Sequence, residues 1–274
     1  MLLLTRSLTH PASLRYELTA LSAILDAIPD DALQPNVYSW HEYIYEYPTL
    51  TEELFNTTEA GLRDRGAPLG TEQIVTEWNT CPPGADCGSG GGDAWAAADF
   101  AQTVLVHATL GVTVSAPYPL CSVNADWGLL STTLDPDRET LVWRPQAYAF
   151  QMMSDVLRET PHVWTAGLAV ERLPDSPDDT YRAAGFASPD KRTVNLVYVA
   201  RTKDSPLEEV LVRVACLPPN TTYTVTAWVL DDGRNYAPVG ASESAVVDGD
   251  GGLQLQHSYP GASPGVLRVR LVAG

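Results

Sequence analysis

The chain has 274 residues, of which 45% are hydrophobic and 19% charged, a balance that fits a soluble globular protein of one large domain or two medium ones. Its 34 acidic and 17 basic residues give a net charge of -17, which repels nucleic-acid phosphates and anionic membranes but is compatible with neutral sugars. No apolar run approaches the roughly 20 residues of a membrane span. We therefore expect neither nucleic acid nor a membrane as a partner.

The first part of the chain alternates between helical and strand patterns. Leucines at helical spacing indicate the first helix, and the capping box formed by Thr49 and Glu52 indicates the second. Repeated units of this kind imply a parallel sheet. The predicted elements are, in order, a helix over 11–28, a strand over 36–43, a helix over 49–65, a strand over 73–77, a helix over 93–111, a strand over 112–116 and a helix starting at Pro145.

After residue 165 the hydrophobic period changes to two. In the last predicted strand Leu267, Val269 and Leu271 alternate with Arg268 and Arg270, which indicates one buried and one solvated face. Turn-forming residues separate the segments, so the pattern predicts an antiparallel β-sandwich of roughly 110 residues. The predicted strands cover 193–200, 210–216, 223–230 and 266–272.

One carboxylate stands out in the segment Gln73-Ile-Val-Thr-Glu-Trp-Asn79. Glu77 follows a short apolar strand directly, and a charge in that position is costly unless it faces a polar cleft. An α/β barrel keeps its catalytic residues at the C-terminal ends of its strands. Glu77 is therefore predicted to be a catalytic carboxylate, and the alternative is an ordinary solvated glutamate at a strand end.

The same region resembles a known group of enzymes. Tyr38-Ser-Trp-His-Glu-Tyr43, a helix, and then Ile74-Val-Thr-Glu-Trp-Asn79 resemble strands six and seven of clan A glycoside hydrolases, most closely family 39, which includes β-xylosidases and α-L-iduronidases. The segment Arg144-Pro-Gln-Ala-Tyr-Ala-Phe150 is similar to a helix of that family. The resemblance implies α/β plus all-β architecture: residues 1–164 as the last three strands or so of a (β/α)8 TIM barrel, and residues 165–274 as a β-sandwich.

The resemblance also assigns roles to single residues. Glu77 matches the nucleophile of a retaining glycosidase, which forms a covalent glycosyl-enzyme that water later releases. His41 and Tyr43 match a His-x-Tyr pair, in which Tyr43 donates a hydrogen bond to the nucleophile and His41 contacts a sugar hydroxyl or holds Tyr43 in place. A buried structural pair is the alternative for these two. The remaining candidates for substrate binding are Trp78 and Asn79, which would act mainly by shaping the strand end, and Trp127 as a sugar platform.

The chain departs from the family at the second carboxylate. A retaining glycosidase needs an acid/base about 5 Å from the nucleophile, and clan A supplies it in an Asn-Glu pair after strand four. This sequence contains no Asn-Glu pair, and the nearby substitutes, Glu42 and Asp126, match the family poorly. The expectation is that the acid/base half of the barrel is missing. A second chain or self-association would then complete the barrel, and the isolated chain would be inactive. The alternatives are a non-catalytic carbohydrate-binding relic and a purely structural protein.

No cofactor and no metal are expected. Cys81 and Cys87 are spaced for a small disulfide loop rather than for zinc. Asp248-Gly-Asp-Gly251 reads as a hairpin turn, and His107 as a structural residue of the Ala-rich helix. The cysteine loop and two sequons, at Asn56 and Asn220, favour the secretory pathway.

Overall fold

A computed structural model describes the greater part of the chain. The described residues are 2–8, 23, 37–43, 52, 55–56, 59–60, 63–64, 72–79, 94–117, 120–122, 129–135, 138–164, 168–171, 181–200, 209–231, 233–258 and 264–274. The predicted helix over 11–28 lies almost entirely outside them. None of the described helices has the length and apolar character that crossing a membrane requires.

The N-terminal half is built on a parallel sheet of four strands, β1 (Leu2–Leu8), β2 (Val37–Tyr43), β3 (Glu72–Asn79) and β4 (Val114–Pro117). They lie side by side in chain order, and every neighbouring pair is parallel. The predicted adjacency of β2, β3 and β4 is therefore confirmed. The sequence analysis expected three strands here and did not predict β1.

Two helices are described in full, and the first packs on one face of this sheet while the second packs against the first. The helix α1 (Ala94–Leu110) is rich in alanine, which lets neighbouring elements approach closely, and it is buried along most of its length. It ends at Gly111, whose φ of 80° is the left-handed conformation that glycine adopts readily at a helix C-terminus. The helix α2 (Pro145–Glu159) begins with proline in its first turn, where a missing N–H leaves no hydrogen bond unmade. Residues 52, 55–56, 59–60 and 63–64 are also helical, as predicted for 49–65.

The rest of the chain forms antiparallel sheets, apart from one parallel bridge in a small sheet between the two helices. That sheet contains β5 (Cys121–Ser122), β6 (Leu130–Asp135) and β7 (Arg138–Trp143). The strands of a six-stranded sheet are β8 (His162–Val163), β10 (Tyr181–Ala187), β11 (Thr193–Ala200), β13 (Thr222–Asp231), β14 (Arg234–Val246) and β16 (Gly265–Ala273). The strands of a three-stranded sheet are β9 (Leu168–Glu171), β12 (Glu209–Val214) and β15 (Leu253–Ser258).

The six-stranded sheet is covered on both faces. Its strands run in the order β14-β13-β16-β11-β10-β8, and those of the three-stranded sheet in the order β15-β12-β9. On one face Phe186 and Leu230 belong to the same hydrophobic cluster as Leu105 of α1 and Met152 of α2. On the other face a second cluster joins the six-stranded sheet to β12 and β15 of the three-stranded sheet. The helices of the parallel half therefore share a core with the C-terminal sheets.

A buried cation fixes α2 to the six-stranded sheet. Arg268 on β16 donates a 2.8 Å hydrogen bond to Asn195 Oδ1, a 2.7 Å bond to Glu159 Oε2 at the end of α2, and a bond to the hydroxyl of Tyr236. The same tyrosine hydroxyl donates to Asp155 Oδ2 at 3.1 Å. Because the guanidinium is desolvated here, these hydrogen bonds replace the water that its charge loses on burial. We call Arg268, Asn195, Glu159, Tyr236 and Asp155 the arginine network.

Candidate active site

The register of the parallel sheet brings two predicted site residues to the same level. His41 of β2 is the Cα partner of Glu77 of β3, and Tyr43 is the partner of Asn79. In a parallel sheet the C-terminal ends of neighbouring strands meet at one edge. The backbone positions of His41, Tyr43 and Glu77 therefore lie at the same edge of the parallel sheet, and the predicted hydrogen bond from Tyr43 to Glu77 stays a prediction.

A register irregularity in β3 sets the face on which Glu77 lies. Val75 and Trp78 are both fully buried in the cluster that contains the helices, although residues three apart in a regular strand point to opposite faces. The pairing with β2 shifts between Trp40 and His41, and the pairing with β4 shifts between Val75 and Trp78. One extra residue is thus accommodated in β3, as in a β-bulge. Glu77, next to Trp78 and only partly buried, lies on the face away from the helices.

Trp78 anchors the strand end from the helical side. Its ring lies 4.7 Å from that of Phe100 and 5.4 Å from that of His107 in an edge-on arrangement, with distances measured between ring centroids. His107 Nδ1 is 2.8 Å from Ser115 Oγ on β4, so the histidine links α1 to two strands. This agrees with the structural role predicted for His107. The complete burial of Trp78 favours its predicted role in shaping the strand end.

Other predicted site residues are located less fully. The side chains of His41 and Tyr43 lie outside the described part of the structure, as do Asp126, Trp127 and the Cys81–Cys87 loop. Asn79 is buried at the end of β3. Glu42, one of the two substitutes considered for the acid/base, is the Cα partner of Trp78 and not of Glu77. Within the residues described here, no group of three or more His, Cys, Asp or Glu side chains is placed to hold a metal ion.

The sequence analysis did not anticipate a groove between the helices and β4. This cavity, about 790 Å3 in volume, is lined by Ser115 and Pro117 of β4, by residues of α1 and α2, and by residues 161–163 at β8. Phe150 of α2 lines it and is 43% exposed. On the opposite face of β4, Val114 is 48% exposed. Apolar side chains are thus accessible on both sides of β4, Phe150 of α2 on one side and Val114 of β4 on the other.

Comparisons with known proteins connect this fold to glycosidases. No family model matches the sequence, and no curated protein matches it. Among solved structures, it is similar to a glucosidase from Croceicoccus marinus (TM-score 0.62, 14% identity, covering 92% of this chain and 56% of that one). It is also similar to an α-L-arabinofuranosidase from Thermotoga maritima (TM-score 0.61, 15% identity, covering 98% of this chain and 57% of that one). A GH39 enzyme from Xanthomonas axonopodis pv. citri is similar too (TM-score 0.53, 10% identity, covering 91% of this chain and 57% of that one).

These neighbours define the class of fold. The chain has a fold like that of the clan A glycosidases, and family 39 is one of several families among its neighbours. It corresponds to part of their barrel together with the sheet domain. The chain spans a little more than half the length of the structures that it resembles.

Proposed function

We propose that this chain carries the nucleophile half of a retaining glycosidase site, with Glu77 as the nucleophile and family 39 as the family that its site segments resemble. The observation that supports this most directly is the position of Glu77. It lies near the C-terminal end of a parallel strand, level with His41, on the face away from the helices. That is where a carboxylate of a (β/α)8 enzyme meets its substrate.

With Glu77 as its one assigned carboxylate, the chain could form the glycosyl-enzyme but could not readily protonate the leaving group. Glu77 would attack the anomeric carbon as the bond to the leaving group breaks, and water would later release the sugar. Protonation of the leaving oxygen needs a second carboxyl group, which this chain does not supply in the family's pattern. General acid catalysis contributes on the order of 10²–10⁴-fold, so natural glycosides should react very slowly with the chain alone.

An activated substrate tests the nucleophile without needing the acid. The dinitrophenolate of an activated 2-fluoro glycoside can leave without protonation. The fluoro-sugar then stays bound to the nucleophile and adds its mass to the protein. We expect intact-mass spectrometry to show one adduct from a panel of β-xyloside, β-glucoside and α-L-arabinofuranoside reagents, and peptide mapping to place it on Glu77.

The strand itself provides the matched control. Glu77→Gln should abolish the adduct, whereas Glu72→Gln, at the exposed opposite end of β3, should leave labelling unchanged. Labelling that survives Glu77→Gln would refute the assignment.

A non-catalytic carbohydrate-binding role is the second candidate, and the absence of an Asn-Glu pair from the sequence favours it. It predicts that the same glycosides bind reversibly and protect the protein against unfolding, while neither the wild type nor Glu72→Gln acquires a covalent sugar. Calorimetric titration alongside the labelling experiment separates the two candidates.

A further inference from the structure

We propose that Asn220 is an acceptor for an N-linked oligosaccharide. The residue begins the sequon Asn220-Thr-Thr222, in which an oligosaccharyltransferase recognises the asparagine amide together with a hydroxyl two residues further on. Asn220 belongs to the antiparallel part of the chain, between β12 and β13, so its role as an acceptor does not depend on the role of Glu77.

A tight turn presents Asn220 to solvent. Pro219 and Asn220 both lie in the turn before β13, and both are exposed. The φ of Asn220 is 57°, and a proline followed by a residue with positive φ is typical of a type II β-turn. Because the asparagine occupies a central position of this exposed turn, a bulky group on its side chain can extend into solvent.

The second recognised group of the sequon is also accessible. Thr222 is the first residue of β13 and is exposed, whereas the next residue, Tyr223, is fully buried and donates a 2.7 Å hydrogen bond from its hydroxyl to Lys191 O. Strand alternation thus points Thr222 outward and Tyr223 into the core. The amide of Asn220 and the hydroxyl of Thr222 are therefore both on the surface.

Backbone hydrogen bonds hold the turn in place. The N–H of Asn220 donates to Asp248 O at 3.4 Å, and the N–H of Val247 donates to Thr221 O at 3.0 Å. These contacts attach the turn to the segment that follows β14. A glycan on the side-chain amide of Asn220 leaves both contacts intact, so the folded chain can carry it.

The turn by itself explains an asparagine at position 220 but not the whole sequon. Asparagine tolerates a positive φ better than most residues, so turn geometry favours asparagine, aspartate or glycine there. The turn sets no requirement for a hydroxyl at position 222, where an exposed strand accepts valine equally well. The presence of both groups on one exposed segment is what indicates an acceptor site.

The transfer forms one bond and breaks one. The amide nitrogen of Asn220 bonds to the anomeric carbon of an oligosaccharide that is carried on a lipid pyrophosphate, and the carbon–oxygen bond to that pyrophosphate breaks. The pyrophosphate leaves with the bonding electrons, and the amide nitrogen gives up one proton. The lipid-linked oligosaccharide is thus the co-substrate, and no oxidant or reductant takes part.

The full chain, secreted from yeast behind a cleavable leader peptide, tests the proposal. Asn56→Gln, at an exposed position, removes the other sequon and gives the reference protein. We expect peptide mapping to find one glycan on Asn220 in the reference protein. Treatment with peptide N-glycanase should remove that glycan and leave aspartate at position 220.

Two further substitutions in the reference protein separate the acceptor from the turn. Asn220→Asp keeps a side chain that tolerates positive φ, and Thr222→Val keeps the shape of threonine without its hydroxyl. Each should abolish the glycan completely, whereas Thr222→Ser, which keeps the hydroxyl, should retain it. The glycan is measured by mass in secreted and cell-retained protein together, so a variant that folds poorly still gives a result.

The reference protein decides the outcome. Absence of a glycan on Asn220 would overturn the proposal, and so would a glycan on Asn220 that survives Thr222→Val. Near-ultraviolet circular dichroism that is identical before and after peptide N-glycanase would support a glycan that lies outside the fold. A glycan found only on misfolded protein would contradict the exposed position of the turn and overturn the assignment.

Discussion

The parallel and the antiparallel sheets of this chain differ in how completely they are covered. The six-stranded sheet is packed on one face by α1 and α2 and on the other by the three-stranded sheet. The parallel sheet carries the candidate site, has two free edges among the described strands and leaves Val114 accessible. The contrast separates a sheet that is covered on both faces from a sheet that carries only the candidate site, and one hydrophobic cluster that includes both helices connects them.

Truncation in the shared core should have the largest effect. Phe186 is fully buried where β10 meets the helices, and Phe186→Ala should lower the free energy of unfolding by about 4 kcal/mol. Because the cluster includes both regions, denaturant unfolding should remain one transition by fluorescence and by circular dichroism. Val246→Ala, at an exposed position, should change stability by less than about 0.5 kcal/mol. Two separate transitions, with only one of them shifted, would show that the regions are independent.

Breaking the arginine network should cause the next largest loss in the free energy of unfolding. Arg268→Met leaves Glu159 and Asn195 without their buried donor and should cost about 3 kcal/mol in chemical unfolding. The control is Arg158→Met on α2, the helix that carries Glu159. The 2.6 Å ion pair of Arg158 with Asp155 lies at the surface and should contribute less than about 1 kcal/mol. Equal losses in the two variants would mean that the burial of Arg268 has no energetic weight.

The hydroxyl of Tyr236 should give a smaller, pH-dependent effect. Burial raises the pKa of Tyr236 to about 12, above the value near 10 expected in the unfolded chain. The folded state therefore keeps this proton where the unfolded state loses it, so stability is fully present below pH 10 and falls as the pH rises to 12.

In Tyr236→Phe that alkaline decline should become shallower, and stability at pH 7 should fall by about 1 kcal/mol through the lost hydrogen bonds. Tyr223, whose pKa burial also raises, is unchanged in the variant and supplies the remaining slope. Thermal melts between pH 7 and pH 12 measure both effects. An identical alkaline slope in the wild type and the variant would contradict the assignment.

The smallest effect on stability is expected at the site. Glu77 is partly exposed at a strand end, and Glu77→Gln preserves its shape, so the free energy of unfolding should change by less than about 0.5 kcal/mol. Glu72→Gln should be equally neutral. A large loss in Glu77→Gln alone would indicate a structural carboxylate and weaken the proposed role in catalysis.

Elements with a strong hydrophobic period could be predicted from the sequence. The strand predicted over 193–200 matches β11, and both described helices begin within a residue of their predicted starts. β14 could not be predicted, since Pro238 and Gly240 argue against a strand and only an edge position tolerates them. The hairpin of β6 and β7 is also absent from the prediction, because its threonines, serine and acidic residues read as a loop.

Some features of the candidate site could likewise be predicted from the sequence, and others could not. The position of Glu77 at the end of a parallel strand beside His41 could be predicted, because the strand pattern and the residue types are local. The register irregularity that places Val75 and Trp78 on one face could not be predicted, since nothing in the side-chain pattern marks the extra residue in β3. The predicted boundary at 164/165 remains a prediction, and residues 165–167 lie outside the described part of the chain.

The position of α1 and α2 between the two halves limits how this protein can be cut and recombined. The hydrophobic cluster that contains Leu105, Met152 and Val156 also has members on β10, β11, β13 and β16. A fragment that ends near residue 164 would lack those members and would expose part of this core to water. Such a fragment should be insoluble or rapidly proteolysed. A chimera that moves the C-terminal sheets onto another enzyme would have to carry both helices with them.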